Sequence, residues 1–209
     1  QPQQSSQEGK VTAPPLAVQD EWRRKYIHPL SGECVPSVTT VLQMLPKDGL
    51  SSWMAKKAAE FAVERWEELG TLSPGERLES IRTASEEVSR PAAEKGDLVH
   101  DIIDSWMSGR PRDDELGQVN SYMNSFIRFL TDTRPRFIEN EVCLFSRAYD
   151  YCGTADWIAE LDWKIVLGDT KSGKAIYPEA ALQVSALAHA DFILRDNGDE
   201  EKIPPISDL

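Results

Sequence analysis

Apolar side chains recur at two different spacings along this chain, and the change of period divides it into a helical first part and a strand-rich second part. Residues 22–35 (WRRKYIHPLSGECV) predict a short extended hairpin turning at Ser31-Gly32, and Ser37 then stands where a helix N-cap belongs. Between Ser51 and Leu69, the residues Trp53, Phe61, Ala62, Trp66 and Leu69 fall at helical spacing, with Gly70 at the expected C′ position. Such spacing assigns Trp53, Trp66 and Trp106 to packing rather than to stacking on a base. Ser73-Pro74 opens a predicted helix with Leu78, Ile81 and Val88 inward. Arg90-Pro91 begins the next, which runs through Leu98, Val99, Ile102, Ile103 and Trp106 to Gly109. A further helix carries Leu116, Val119, Met123, Phe126 and Leu130.

The period then shortens. Residues 137–145 (FIENEVCLF), 152–160 (CGTADWIAE) and 163–170 (WKIVLGDT) are rich in β-branched and aromatic residues and are separated by the turn signals RAYDY and LD, which predicts an antiparallel meander. A last helix is expected from about Pro178 to Arg195, with Leu182, Ala186, Ala190 and Ile193 along one stripe. The expected class is α+β: a helical N-terminal half followed by a small, mainly antiparallel sheet flanked by helices. A flexible lead rich in Gln, Ser and Pro (1–21) precedes one expected domain over 22–209. Within it, 22–136 is mainly helical, 137–195 holds the sheet and the following helix, and 196–209 reads as an incomplete C-terminal segment.

No stretch approaches the ~18 apolar residues of a membrane span, which argues against a membrane protein. The lead has no basic start followed by an apolar run, so no secretory signal is expected and a cytoplasmic location is; the missing initiator Met suggests numbering that begins inside a longer chain. Cys34, Cys143 and Cys152 show no CxxC spacing and read as reduced core thiols, the last two close together across a hairpin. The net charge of −12 is uneven: residues 1–90 hold 11 basic and 13 acidic side chains, and residues 91–209 hold 12 and 22. Such a balance opposes non-specific attraction to nucleic acid, yet a carboxylate cluster that binds cations is itself acidic until loaded.

The segment GTADWIAELDWKIVLGDTKSGK concentrates the chemistry. Asp169 and Lys171 are two apart, so on a strand both side chains share one face, and antiparallel pairing across the turn at Leu161-Asp162 brings Asp156 beside Asp169. Two carboxylates that close repel one another unless a divalent cation lies between them. Lys171 is then suited to orienting or deprotonating a water, or to offsetting transition-state charge; a surface D-x-K pair is the plainer reading of the same dipeptide.

Four motifs in order add to this: Gly96-Asp97-Leu98-Val99-His100 on a helix, Gly153-Thr154-Ala155-Asp156 on a strand, Asp169-Thr170-Lys171-Ser172-Gly173, and Gln183 on a following helix. Together they resemble the PD-(D/E)XK nuclease superfamily, specifically its RecB-like exonuclease branch, which also holds phage recombination exonucleases and CRISPR-adaptation nucleases. The resemblance spans Glu94 to Ala190. It implies a restriction-endonuclease-like core and a Mg²⁺- or Mn²⁺-dependent deoxyribonuclease, most naturally an exonuclease in recombination, repair or phage DNA processing, with DNA and a recombination or repair protein as partners. It implies Asp156, Asp169 and Lys171 as catalytic residues. His100, Asp156, Asp169 and the Thr170 carbonyl become metal ligands, and Gln183 holds Lys171 or the DNA backbone. The family's Q-x-x-x-Y has Leu187 at its last position here, which removes a hydroxyl and leaves a weak or inactive nuclease-fold module, binding DNA or a protein, as the competing reading. An iron–sulfur cluster, present in many relatives, needs four thiolates, so none is expected from three.

Other positions stay open between two readings. His100 alone also fits a structural histidine beside the Val99–Ile103 stripe, and His28 and His189 read as surface or core. Glu141 is either a solvated strand residue or a further acid of the site, while Lys174 and Tyr177 either bind phosphate or an unstacked base or form a plain loop. Arg128, Arg134 and Arg136 either track DNA or balance nearby acids.

Overall fold

The computed structural model describes residues 16–20, 23–47, 49–110, 116–173 and 175–207. In chain order the elements are β1 (Ala17–Asp20), β2 (Arg23–Ile27), β3 (Cys34–Pro36), α1 (Val38–Leu42), α2 (Leu50–Glu64), α3 (Trp66–Thr71), α4 (Pro74–Met107) and α5 (Leu116–Thr133). They continue with β4 (Arg136–Ser146), β5 (Tyr151–Leu161), β6 (Lys164–Gly168), α6 (Pro178–Ala188), β7 (Phe192–Leu194) and β8 (Glu200–Glu201). About 48% helix and 25% strand among the described residues, with antiparallel sheets, make the chain α+β as its patterning predicts. Its contacts group into two compact units, Gln1–Met44 with Leu98–Leu209, and Leu45–Asp97.

The first unit is built on a five-stranded sheet in the order β6-β5-β4-β7-β8. The β5–β6 hairpin closes through Asp162 and Trp163, both at positive φ (46° and 66°), between the paired Leu161 and Lys164. Two successive left-handed residues match the twist of the flanking strands, which is why so short a turn is stable here. β4 is covered on both faces. Cys143 and Phe145 pack with Tyr26, Val35, Cys152, Phe192 and Leu194 toward the small sheet β1-β2-β3. Val142 and Leu144 pack with Val38, Ala155, Ile158, Leu167 and Leu187 toward α1 and α6. Burial on both sides explains why the second half of this strand, Val142 to Phe145, reads as a continuous apolar run rather than an alternation. A third cluster joins the last turns of α4 (Val99, Ile102, Ile103) to α5 (Val119, Met123, Phe126). Ser37 caps α1 by accepting from the Thr40 N–H at 3.0 Å.

Several expectations for this unit are corrected. The helix predicted to reach Arg195 stops at Ala188, and Phe192–Leu194 form a buried strand against Leu144 and Phe145. Leu182, assigned to its inner stripe, is exposed, and Leu187 takes the buried position. The lead assigned as flexible contains β1 at Ala17–Asp20, paired with β2; residues 1–15, 21 and 22 lie outside the described residues. Cys34 is exposed rather than in the core, whereas Cys143 and Cys152 are buried with their sulfurs 3.2 Å apart.

The second unit holds α2, α3 and α4 as far as Asp97. Gly70 lies within α3; the helical run from Leu50 instead breaks at Arg65, whose φ of −110° and ψ of 27° leave the helical region. Pro91 starts no new helix and sits inside the 34-residue α4. A proline there removes one backbone hydrogen bond, and the exposed turn around it leaves the freed carbonyl accessible to water. Ser73 and Glu76 form a reciprocal cap ahead of this helix, Ser73 donating to Glu76 through its amide (3.0 Å) and its hydroxyl (2.6 Å). No residue of α2 is buried, Trp53 and Trp66 are exposed (37% and 74%), and so are Leu78 and Val88. Helical spacing says which side chains share a face, not that anything covers it, so the assignment of these tryptophans to a core does not hold.

Candidate active site

Beyond Gly168 the β5–β6 ladder ends, one residue before Asp169, so Asp169 and Lys171 lie on irregular backbone just past the strand rather than on it. The carboxylate of Asp156 takes the place of the missing ladder contact: its Oδ2 accepts from the Thr170 N–H at 2.5 Å. A side chain on β5 thereby pins the loop that carries the other two groups. Lys171 Nζ forms an ion pair with Asp169 Oδ2 and donates to Gln183 Oε1 at 3.2 Å, while Gln183 Nε2 donates to Asp169 Oδ1 at 3.0 Å. Gln183, from the first half of α6, thus clamps the acid and the amine together and has its amide orientation fixed by both. His100, from α4, points Nδ1 at Asp156 Oδ2 (3.3 Å).

The side chains thus form two groups, His100 with Asp156 and Asp169 with Lys171 and Gln183, which meet through the backbone of Thr170 and are drawn from β5, the β6–α6 loop, α4 and α6. Asp169 is only 5% exposed. Burial pushes its carboxyl above the ordinary range, the Lys171 ammonium pulls it back, and the Asp156 charge pushes it up again. The His100 imidazole is raised by its bond to Asp156, against the opposing effect of burial. Apart from the ion pair with Lys171, Asp169 Oδ2 has no hydrogen-bond partner. Two carboxylates, an imidazole and the Thr170 carbonyl are donors suited to a hard divalent cation, and a buried carboxylate oxygen held only by the Lys171 ammonium is the kind of atom such a cation serves. Among the described residues no three His, Cys, Asp or Glu side chains are already gathered as a ligand shell; Asp156 and Asp169 are turned to the protein partners just named.

Beside these groups opens a cleft of about 530 Å³ whose lining includes Asp169, Thr170, Lys171 and Gly173 together with Tyr122, Phe126, Phe129 and Trp157. The Trp157 indole lies 5.8 Å from the Phe129 ring and 5.9 Å, edge-on, from Phe137. It also lies across Gly168, where a Cβ would fall inside the indole's van der Waals surface. Sequence reasoning singled out none of Trp157, Phe129 and Tyr122. Trp157 was visible only as the neighbour of Asp156, and its approach to α5 is a long-range contact.

Tyr177 is the exposed N-cap residue of α6, and Lys174 lies outside the described residues. Glu141, which lies on β4 between the paired residues Asn140 and Val142, has positive φ (48°) and an exposed side chain. Its carboxyl is pushed up by partial burial and by the charges of Asp104, Asp156 and Asp101. Leu187 is fully buried against Gly153, where an added Cβ would come within 2.8 Å of Leu187 Cδ2 and of Val38 Cγ1, so this position serves the core. His28 is buried and bonds Glu200 at 3.1 Å, and His189 ends α6 with Nδ1 against the Ser185 carbonyl. Arg136 is ion-paired with Glu160 and Arg128 lies 3.5 Å from Asp132, which accounts for two of the three arginines as partners of nearby acids.

Comparison with protein-family models and with curated proteins returns no match. The functional reading therefore rests on the site itself.

Proposed function

We propose that this chain is a divalent-metal-dependent deoxyribonuclease of the PD-(D/E)XK kind, close to the RecB-like exonucleases, that hydrolyses DNA phosphodiesters in recombination, repair or phage DNA processing. The observation that supports the reading is the meeting of the His100–Asp156 pair and the Asp169–Lys171–Gln183 group at the Thr170 backbone, with Asp169, Thr170 and Lys171 lining a cleft. Asp156, Asp169, His100 and the Thr170 carbonyl would hold Mg²⁺ or Mn²⁺. When bound, such an ion lowers the pKa of a coordinated water and offsets charge on the phosphate oxygens. Lys171 lines the cleft with its ammonium held by Asp169 and Gln183, and from there it can orient the attacking water or meet developing negative charge. Gln183 keeps Lys171 and Asp169 in register, and burial of Asp169 strengthens every electrostatic contact made there.

Asp169→Ala and Lys171→Ala should each abolish Mg²⁺- or Mn²⁺-dependent degradation of linear DNA while leaving the far-UV circular dichroism unchanged. Digestion at the wild-type rate by either variant refutes the assignment. Covalently closed circles separate the two modes of attack, since an exonuclease leaves them intact.

One observation favours a second reading, a nuclease-fold module that binds DNA or a protein without turnover. Both oxygens of Asp169 are engaged within the protein, and position 187 serves the core. Calorimetric titration with Mn²⁺ discriminates: no binding by the wild type supports the module.

A further inference from the structure

We infer that the cleft beside Asp169 and Lys171 receives an unpaired nucleobase, so that the substrate is single-stranded DNA or an unwound end rather than an intact duplex; this rests on the nuclease reading above. The cleft's volume of about 530 Å³ lies within the ~300–1,000 Å³ usual for sites that enclose a small molecule. Its lining mixes two kinds of group: Asp169 and Lys171 bring charge, and Tyr122, Phe126, Phe129 and Trp157 bring aromatic rings. A phosphate gains nothing from an aromatic wall, whereas a base has a flat apolar face and is joined through its sugar to the phosphate. In a duplex that face is already stacked on its neighbours, so only an unpaired nucleotide can present it here.

The charge of the chain points the same way. Proteins that hold duplex DNA by its backbone depend on many Lys and Arg contacts to phosphate, and a chain of net charge −12 is set against that kind of attraction, with Arg136 and Arg128 already facing Glu160 and Asp132. Stacking, which needs no net charge, supplies affinity where backbone neutralisation is weak. Ser125 lies exposed at the cleft on α5, so a large side chain there fills the space from the solvent side without entering the core.

The test compares fluorescein-labelled oligothymidylate with an abasic sugar–phosphate chain of the same length by fluorescence anisotropy in Ca²⁺, intactness being checked on a gel. Wild type, Phe129→Leu and Ser125→Trp are compared, and cleavage of linear DNA in Mg²⁺ is followed in parallel. Wild type should bind the base-bearing chain roughly 5- to 150-fold more tightly, the range of one base–aromatic stack, and both variants should shrink that ratio toward one. Equal binding of the two chains by the wild type, or an undiminished ratio in Ser125→Trp, overturns the inference. Cleavage with base-independent binding sinks the cleft assignment alone. Base-dependent binding with no cleavage by the wild type instead sinks the nuclease reading and leaves the base site standing.

Discussion

Gly168→Ala is the most exacting test of how the sheet carries the cleft. The added methyl would fall within the ring of Trp157, which is paired with Gly168 across the β5–β6 ladder. A ring on an adjacent strand cannot yield by a small bond rotation, so the indole must turn away. That costs its contacts with Phe129 at 5.8 Å and Phe137 at 5.9 Å. Aromatic pairs contribute about 0.5–1.5 kcal/mol each beyond buried area, and forcing extra volume into a packed site adds about 1–3 kcal/mol. Allowing for partial relaxation, the expected loss is about 2–4 kcal/mol, a large share of a typical total of ~5–15 kcal/mol. At ~2–4 °C per kcal/mol for a chain of this size, Tm should fall by roughly 5–15 °C, with loss of near-UV dichroism from the displaced tryptophan. Gly70→Ala is the control: Gly70 is helical, and a Cβ there meets nothing within 4 Å. That substitution should raise stability by about 0.4–1 kcal/mol, because alanine loses less backbone entropy on folding. A Gly168→Ala protein with unchanged Tm and unchanged near-UV signal would show that Trp157 does not hold the position on which the cleft depends.

Three further outcomes are expected. Leu187→Tyr, which installs the residue found in the resembled family, should destabilise by about 2–5 kcal/mol in urea unfolding, because a ring and a hydroxyl enter a site already closed by Gly153 and Val38; a gain in stability would mean that the site has room. Asp191→Ala removes the acceptor for the amides of Arg147 (2.6 Å) and Ala148 (2.9 Å) at the β4–β5 turn, should cost about 1–3 kcal/mol, and should speed hydrogen exchange at those two amides. The buried Tyr26 hydroxyl, bonded to Thr154 at 2.9 Å, is pushed up to about 12 chiefly by burial. The unfolded chain therefore ionises first: its contribution is intact below pH ~10 and is lost as pH rises from ~10 to ~12, by up to roughly 2–3 kcal/mol, and Tyr26→Phe should flatten that stretch of the stability curve.

What the residues reveal by themselves depends on how local the deciding contact is. The three central strands are legible because each alternates or runs apolar between turn residues, and Asp156 can be set beside Asp169 because a two-residue turn leaves one register for the hairpin. Phe192–Leu194 were not legible as a strand: a short apolar run fits a helix end equally well, and pairing with Leu144 and Phe145, far away in sequence, decides the matter. The exposure of Trp66 and Leu78 is a statement about what surrounds a helix, which its own period does not contain. Gln183 was legible from its place in a motif, whereas its double contact with Lys171 and Asp169 was not. The aromatic wall was missed for the same reason, since Phe129 and Trp157 meet only when α5 packs near β5.

The closeness of Asp156, Asp169 and Lys171 in the chain also bears on the order of assembly. Closing a short hairpin costs little loop entropy and takes microseconds, whereas recruiting His100 and Gln183 requires distant helices to dock. The acids and the amine should therefore meet in the earliest structured species, and their mutual charge becomes a factor in the folding rate as well as in the finished molecule. Asp156→Asn, which keeps an acceptor for the Thr170 amide and removes one negative charge, should hasten overall refolding in stopped-flow mixing.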